Sequence, residues 1–427
     1  MSSGTPPKIV PLPQIFNVPL VQHLGAPAKL AVDVGAVVKR GDVLGRAEGF
    51  VSASVHAPTS GKVKAIEMMS SPTGRMVQHV VIEADGRDER GAIMPPMREW
   101  KNVSSKEIVN RIAEAGIVGM GGAGFPTHVK LSPPPDKKIK ALILNGAECE
   151  PYLTSDHSIM TNCTSDIWEG AKILGYALGV EKIYIAIESN KSDAIKAFEQ
   201  IDVSQDDIDA EVVILKTHYP HGSEKLQIYA TLGLEVPSGG LPSDVGCVVE
   251  NIGTVLAVYN AVVNGWASDE RFVTVTGESI AAPGNFIARV GMSFEELIKA
   301  AGGFKGTPCK IIAGGPMMGF SVSGTGVSVT KTTSGILALN ERDLTFFTAM
   351  ACISCGRCTR VCPMRLLPAE MIPAIEAGDI DTVVAMHIAD CYECGCCSYV
   401  CPARRPLVQH LRRAKGAIAI RKMREQK

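Results

Sequence analysis

The chain has 427 residues, which at ~150 residues per domain predicts about three domains and ample material for several buried cores. Its 43 Lys+Arg against 44 Asp+Glu leave a net charge of −1, which excludes a global polyanion binder but leaves room for a local patch. No run approaches the ~18 apolar residues of a membrane span, and the opening MSSGTPPKIV lacks a basic-then-apolar signal. The chain therefore reads as made and kept in the cytosol, where 13 Cys point to metal or redox chemistry rather than disulfides.

Residues 1–8 read as disordered, and 9–95 as an all-β domain. Within it VVKRGDVLG and GFVSASVHAPTSGKVKAIE are strands joined by tight Gly turns, and Pro95-Pro96 marks a linker. Residues 100–268 alternate helix and strand. SSKEIVNRIAEAG is a helix with Ser104 or Ser105 as cap and Gly116 as stop. KIKALILN, KIYIAIES and EVVILKT are Val/Ile-rich strands, and helices fall near 191–200, in SEKLQIYATLG and in NIGTVLAVYNAVVNG. This pattern predicts a covered α/β sheet. Residues 269–340 hold a smaller α+β unit and a connecting segment, with strands in RFVTVTGE, NFIARVG and CKIIAG and a helix in FEELIKAAG. Residues 341–427 carry nine cysteines between helical segments and end in a basic tail that runs to Lys427.

The strongest chemical signal is a duplicated cysteine run: Cys352-x2-Cys355-x2-Cys358-x3-Cys362-Pro, then Cys391-x2-Cys394-x2-Cys397-x3-Cys401-Pro. A [4Fe–4S] cube needs four thiolates, and the tight run supplies three from one loop with a distant Cys as the fourth. In the two-cluster arrangement Cys352, Cys355, Cys358 and Cys401 hold one cube, and Cys391, Cys394, Cys397 and Cys362 the other. Paired structural zinc sites are the competing reading, but zinc gives no reason for the third Cys or for Cys-Pro. Cys396 is a further thiol inside the second run, either a packed side chain or a substitute ligand.

The segment from Gly119 to Gly124 (GMGGAG) matches G-x-G-x-x-G, but a helix precedes it rather than a strand, so it is no Rossmann turn. So dense a Gly run lets a ligand approach the backbone. Its amides suit a phosphate or a flavin edge, Phe125 a ring stack and Lys130 a phosphate. A plain Gly loop with Phe125 in the core is the alternative. Asn145-Gly146-Ala147-Glu148-Cys149-Glu150-Pro151 leaves the end of an apolar strand, where α/β sheets bind ligands. Glu148 and Glu150 there are ribose or carboxamide acceptors, or a solvated acidic turn. Glu188 is similar, while Glu224 near a helix start also suits the helix dipole. HAPTSG looks like the hairpin of a lipoyl or biotinyl carrier, yet Val55-His56-Ala57-Pro58 stands where the modifiable Lys belongs, so a docking module is the better reading. The basic tail reads as a solvated helix, a contact for anionic lipid or an acidic partner, or an offset to cluster charge.

GMGGAGFPTHVK, NGAECEP and ENIGTV resemble the flavin-loop, Asn-Ala-Asp-Glu-Ser-Glu-Pro and Asn-Val-Glu-Thr segments of the NADH-binding flavoprotein subunit of respiratory complex I. The resemblance implies that Gly119, Gly121, Gly122, Gly124, Phe125, Lys130, Asn145, Glu148, Glu150, Asn251 and Thr254 hold FMN and NADH, with Glu188 and Lys191 in a looser match. That family usually has Arg at the place of Met120 and lacks the two-cluster tail. Nearly the whole chain resembles the C subunit of the Rnf complexes through VPLVQHLGAP, GFVSASVHAP, YPHGSEK, VPSGGLPSDVG, GGPMMG and the two Cys runs. This implies a multidomain α/β protein: a barrel-sandwich, an FMN/NADH domain, a β-grasp soluble-ligand-binding unit and a helical two-cluster end. It implies non-covalent FMN, two [4Fe–4S] clusters and NAD(H), with electrons passed from ferredoxin to NAD+. It further implies a peripheral place on the cytoplasmic face of the membrane, through the other proteins of the complex. A related cobalamin reductase and a non-catalytic electron-transfer scaffold are the rival readings.

Overall fold

The computed structural model describes residues 6–91, 94–203, 208–344 and 348–425. The chain divides into two compact units, residues 1–234 with 242–343, and residues 235–241 with 344–427. Among the described residues no helix is long and apolar enough to cross a membrane.

In the first unit the N-terminal strands form two small antiparallel sheets. One orders Ile15–Pro19, Met76–Ala84, Gly61–Ser70 and Val37–Val38, and the other Lys29–Leu30, Val43–Arg46 and Val55–His56. Alternating residues such as Phe16, Val18, Val80 and Ile82 turn inward, as a half-buried strand requires. They do not close a core of their own. The same cluster takes in Val273, Val275, Phe286, Phe294 and Ile336 of the β-grasp region, so these two regions share one hydrophobic core. A buried bidentate pair, Arg40 Nε and Nη2 to Asp269 at 2.7 and 2.9 Å, adds a polar tie between them.

The β-grasp region has a six-stranded mixed sheet ordered Lys8–Ile9, Gly284–Arg289, Glu270–Thr276, Gly335–Leu339, Lys310–Ala313 and Phe320–Val322. Two expectations are corrected here. Lys8, expected to be disordered, pairs in parallel with Phe286; residues 1–5 of that segment lie outside the described residues. The segment expected to be a connection supplies a wholly buried central strand, Gly335–Leu339.

The α/β region has four parallel strands in the order Asp209–Leu215, Lys182–Glu188, Ala141–Gly146, Cys247–Asn251. Every residue of Ala141–Gly146 and of Cys247–Asn251 is buried. Leu142, Leu144, Ile183 and Ile185 join one core with Ile108 and Ile112 of the helix Ser105–Glu114 and with Val255 and Val258 of the helix Ile252–Val263. Burial on both faces is what a parallel sheet covered by helices demands. The short strand Cys247–Asn251 runs directly into its helix, so its apolar residues merge with the helical pattern in the sequence.

The second unit is helical. Pro368–Ala377, Ile380–Ala385 and Leu407–Glu425 pack through Met371, Ile372, Val383, Val408 and Leu411 around the cysteine loops.

Candidate functional site

In the α/β sheet the chain leaves Ala141–Gly146 toward Lys182–Glu188 and Asp209–Leu215, then returns on the opposite side as Cys247–Asn251. The order reverses between the first and last of these strands, and open α/β sheets bind ligands beyond the carboxyl ends at such a point. Asn145 and Asn251 stand there in register on adjacent strands. Asn251 caps the following helix by accepting from Gly253 N at 2.9 Å, and its Nδ2 donates to Asp156 Oδ2 at 2.7 Å. Asn145 Nδ2 donates to Gly222 O at 2.9 Å, and its Oδ1 accepts from Ala147 N at 3.1 Å.

The Gly-rich loop follows the helix Ser105–Glu114. Ser104 and Glu107 form a reciprocal capping box at the start of that helix, and Gly116 ends it with φ +66°. The loop folds back on itself, with Gly119 N donating to Phe125 O at 2.8 Å. Met120 N donates to Thr254 Oγ1 at 2.9 Å, and the buried Arg271 donates through Nη2 to Met120 O at 2.8 Å. Gly121, Gly122 and Ala123 are exposed. A Cβ on Gly121 would press on Asn251 Nδ2 at 2.9 Å, whereas one on Gly122 would meet nothing within 4 Å. The loop thus presents bare main chain beside Asn251, which fits a flat ring or a phosphate approaching the backbone. Phe125 is half-buried next to it.

Lys130 turns inward. Its Nζ donates to Val249 O at 2.9 Å, pairs with Glu224 and lies 3.9 Å from Glu250 Oε1. Glu250 is fully buried, neither oxygen has a hydrogen-bond partner among the described residues, and burial pushes its carboxyl up to about 7 against the pull of Lys130.

The acidic residues at the strand ends accept hydrogen bonds from the protein itself. Glu148 accepts from Asp156 N and Ser155 Oγ on one oxygen, at 2.9 and 3.1 Å, and from His157 N on the other at 3.1 Å. It therefore covers the start of the helix Ser155–Asn162, where a carboxylate satisfies otherwise free amides. Burial and the adjacent Asp156 push its carboxyl upward. Glu150 accepts from Met317 N at 3.1 Å and Met318 N at 2.7 Å, in the GGPMMG turn. Glu188 is buried at its strand end beside the buried Lys191, and burial raises its carboxyl while Lys191 opposes the rise. Asp156 and Arg271 are the residues that sequence reasoning missed. Both act through long-range contacts that no local motif encodes.

In the second unit the two cysteine runs are conformational copies, each position lying 39 after its counterpart. Ser354 and Glu393 have φ +53° and +61°, Gly356 and Gly395 +67° and +83°, and Arg365 and Arg404 +55° and +51°. Ser354 N approaches Cys352 Sγ and Glu393 N approaches Cys391 Sγ, both at 3.4 Å. Cys362 of the first run lines one cavity with Cys391, Cys394 and Cys397 of the second. This is the crossed set, and amide donors directed at sulfur suit a ligated thiolate. Cys396 lines the same cavity. Cys401 borders a separate open hollow with Arg357, Arg360 and Tyr399. Much of the basic tail is tied down: Arg412 and Lys415 pair with Glu393 at 3.0 and 2.7 Å, and Arg421 with Asp381 at 2.6 Å. Lys427 lies outside the described residues.

Four family models match in chain order: the RnfC barrel sandwich hybrid domain at residues 1–87, the Nuo51 FMN-binding domain at 112–260, the SLBB domain at 272–321, and the 4Fe-4S dicluster domain at 351–404. The fold class and the cofactors read from the sequence, FMN and [4Fe–4S] clusters, agree with these. The NAD+-reducing [NiFe]-hydrogenase in its H2-reduced state shares the fold, at TM-score 0.53 and 19% identity over 75% of this chain and 64% of that one. The C subunit of the proton-translocating ferredoxin:NAD(+) oxidoreductase complex of Clostridium ljungdahlii is 45% identical, with 96% of this chain and 90% of the relative covered. The C subunit of the Na(+)-translocating ferredoxin:NAD(+) oxidoreductase complex of Acetobacterium woodii is 43% identical over 95% and 91%. That of the ion-translocating oxidoreductase complex of Rhodobacter capsulatus is 41% identical over 97% and 80%. These relatives do not favour the cobalamin-reductase or scaffold readings. With such identity over nearly its whole length, the chain belongs to the RnfC family, the C subunits of ion-translocating, Rnf-type oxidoreductase complexes.

Proposed function

We propose that this chain is the NADH- and FMN-binding, iron–sulfur subunit of a membrane-associated ferredoxin:NAD+ oxidoreductase complex, passing electrons from ferredoxin to NAD+. The observation that carries this reading is the bare-backbone loop over the switch point of a parallel sheet, in a chain that also brings thiols of two runs to one cavity. Bound FMN supplies the conversion between one-electron cluster chemistry and two-electron nucleotide chemistry. Ferredoxin is the indirect donor, and the chain sits peripherally on the cytoplasmic face of the membrane through the other proteins of the complex.

Gly121 and Gly122, between Gly119 and Gly124, give the flavin access to main chain, with Phe125, Asn145 and Asn251 around it and Thr254 holding Met120 behind the loop. Lys130 contributes positive charge from within the domain. Glu148 and Glu150 shape the nucleotide side by fixing a helix start and the Met317–Met318 turn, and Glu188 borders it. Cys352, Cys355, Cys358 and Cys401 hold one cluster, and Cys391, Cys394, Cys397 and Cys362 the other.

Gly122→Leu tests the flavin loop. The open space at this position lets the variant fold, while its side chain occupies the ligand's approach. Acid release should yield no FMN while iron and sulfide stay at wild-type content. Undiminished FMN would reject the assigned loop.

Cys362→Ser and Cys401→Ser test the crossed ligation. EPR of the anaerobically reduced protein should show Cys362→Ser altering the cluster of the second run and Cys401→Ser that of the first, as seen by comparison with Cys394→Ser and Cys355→Ser. Pairing of each variant with its own run would contradict the crossing.

Glu250 gives a pH test. Its carboxyl lies at about 7 in the fold against an ordinary 4.5, so between these values the folded state holds a proton that the unfolded state releases. Its contribution to stability is therefore fullest below about 4.5 and is lost as pH rises through 7. In urea unfolding, the stability of the wild type relative to Glu250→Gln should fall from pH 5 to pH 8, each an approximate working point for this window. A difference that stays flat would show that the buried carboxyl titrates normally.

A further inference from the structure

The Gly-rich loop is entered at Gly116 and left at Gly124, and both residues are gripped from outside the α/β region. Lys331 is only 1% exposed, yet no carboxylate pairs with its Nζ among the described residues; Nζ donates to Gly116 O at 2.6 Å and Ser54 O at 2.7 Å. Its backbone N–H donates to Gln22 Oε1 at 3.0 Å, and two residues further along the N-terminal domain Leu24 N donates to Gly124 O at 3.1 Å. The approach is close at both ends. A Cβ on Gly116 would fall 2.1 Å from Ser54 O, and one on Gly124 would fall 2.9 Å from both Gln22 O and Thr332 Cγ2.

Ser54 immediately precedes the carrier-like turn. A carrier domain must expose that turn to present its lysine, but here Val55, His56 and Ala57 are buried. The barrel has therefore turned its hairpin into the protein, with a main-chain carbonyl directed at Lys331. Burial pushes the Lys331 amine down to about 7, and a neutral amine still has N–H groups for both carbonyls, so the contact is available on either side of neutrality.

We propose that Lys331, with Gln22, Leu24 and the Ser54 carbonyl of the barrel domain, forms a bracket that positions the flavin loop, so that the barrel serves flavin binding by holding the loop's ends. Lys331 is a positioning residue. Among the described residues its hydrogen bonds go to Ser54, Gly116 and Gln22 rather than to the exposed Gly121–Ala123, so it acts through Gly116. The inference rests on the reading that this loop holds FMN. A lysine that merely tied domains together would affect overall stability without a selective effect on the loop.

The test uses the full chain with its clusters in place, comparing wild type, Lys331→Met and Gln22→Met by amide hydrogen exchange and by FMN fluorescence titration. Lys331→Met should speed exchange across residues 118–124 by about tenfold, leave the strand Ala141–Gly146 unchanged, and raise the FMN dissociation constant by about tenfold. Gln22→Met should move both readouts in the same direction by a smaller factor, and it decides the matter alone should Lys331→Met fail to fold. Unchanged loop exchange, or equal acceleration in loop and strand, would overturn the bracket. A loosened loop with unchanged FMN affinity would overturn its link to flavin binding. If Gly122→Leu also kept FMN, the assignment of the loop itself would be what had failed.

Discussion

A loop that binds a cofactor through its main chain has to be uncovered on one side and held on the other. Glycine meets the first demand and undermines the second, because it loses the most conformational freedom on folding. The structure answers with side chains from behind. Thr254 and Arg271 hold Met120, Asn251 packs against Gly121, and Lys331 holds Gly116. These anchors lie at the end of the strand Cys247–Asn251, in the helix Ile252–Val263 and in the β-grasp region, and the barrel adds Leu24 at Gly124. The shared core beneath the barrel and the β-grasp sheet gives that grip a common foundation.

The second unit solves a related problem in another way. Three thiols from one short loop can face a common point only if the backbone turns sharply between them. Glycine supplies one left-handed residue in each run, at Gly356 and Gly395, but Ser354, Glu393, Arg365 and Arg404 also have positive φ. Such conformations are disfavoured for residues with a Cβ and tend to gather at functional sites. The recurrence of Ser354 and Glu393 inside the two runs, and of Arg365 and Arg404 three residues past them, ties the strain to the thiol loops rather than to a local accident. Lys415 donates to Cys391 O at 3.0 Å and pairs with Glu393, so part of the basic tail lies against the second run.

What was legible in the sequence is what short-range physics encodes. The cysteine spacing is fixed by ligation from a single loop, the capping box by a four-residue pattern, and the strands by their apolar runs. The central strand Gly335–Leu339 and the strand at Lys8–Ile9 are not legible there, because their identity comes from partners far along the chain. Glu150 shows the same limit: its position beside a strand end was readable, but its acceptors are engaged by Met317 and Met318, more than a hundred residues away. Glu148 is legible as a carboxylate at a strand end, but sequence cannot tell which way it turns, and the fold adds that the amides at the start of the helix Ser155–Asn162 donate to it. Asp156, Arg271 and Lys331 lie outside every motif, and only the fold brings them to the site.

On the proposed function, the flavin domain and the cluster domain form one electron-transfer chain in this polypeptide. The direct measurement is anaerobic rapid mixing of the FMN- and cluster-loaded protein with NADH, followed by flavin absorbance and by freeze-quench EPR of the clusters. The proposal predicts flavin bleaching first and cluster signals afterwards, with cluster reduction abolished when FMN is removed and restored when it is added back. Cluster reduction by NADH at the same rate in FMN-free protein would contradict it.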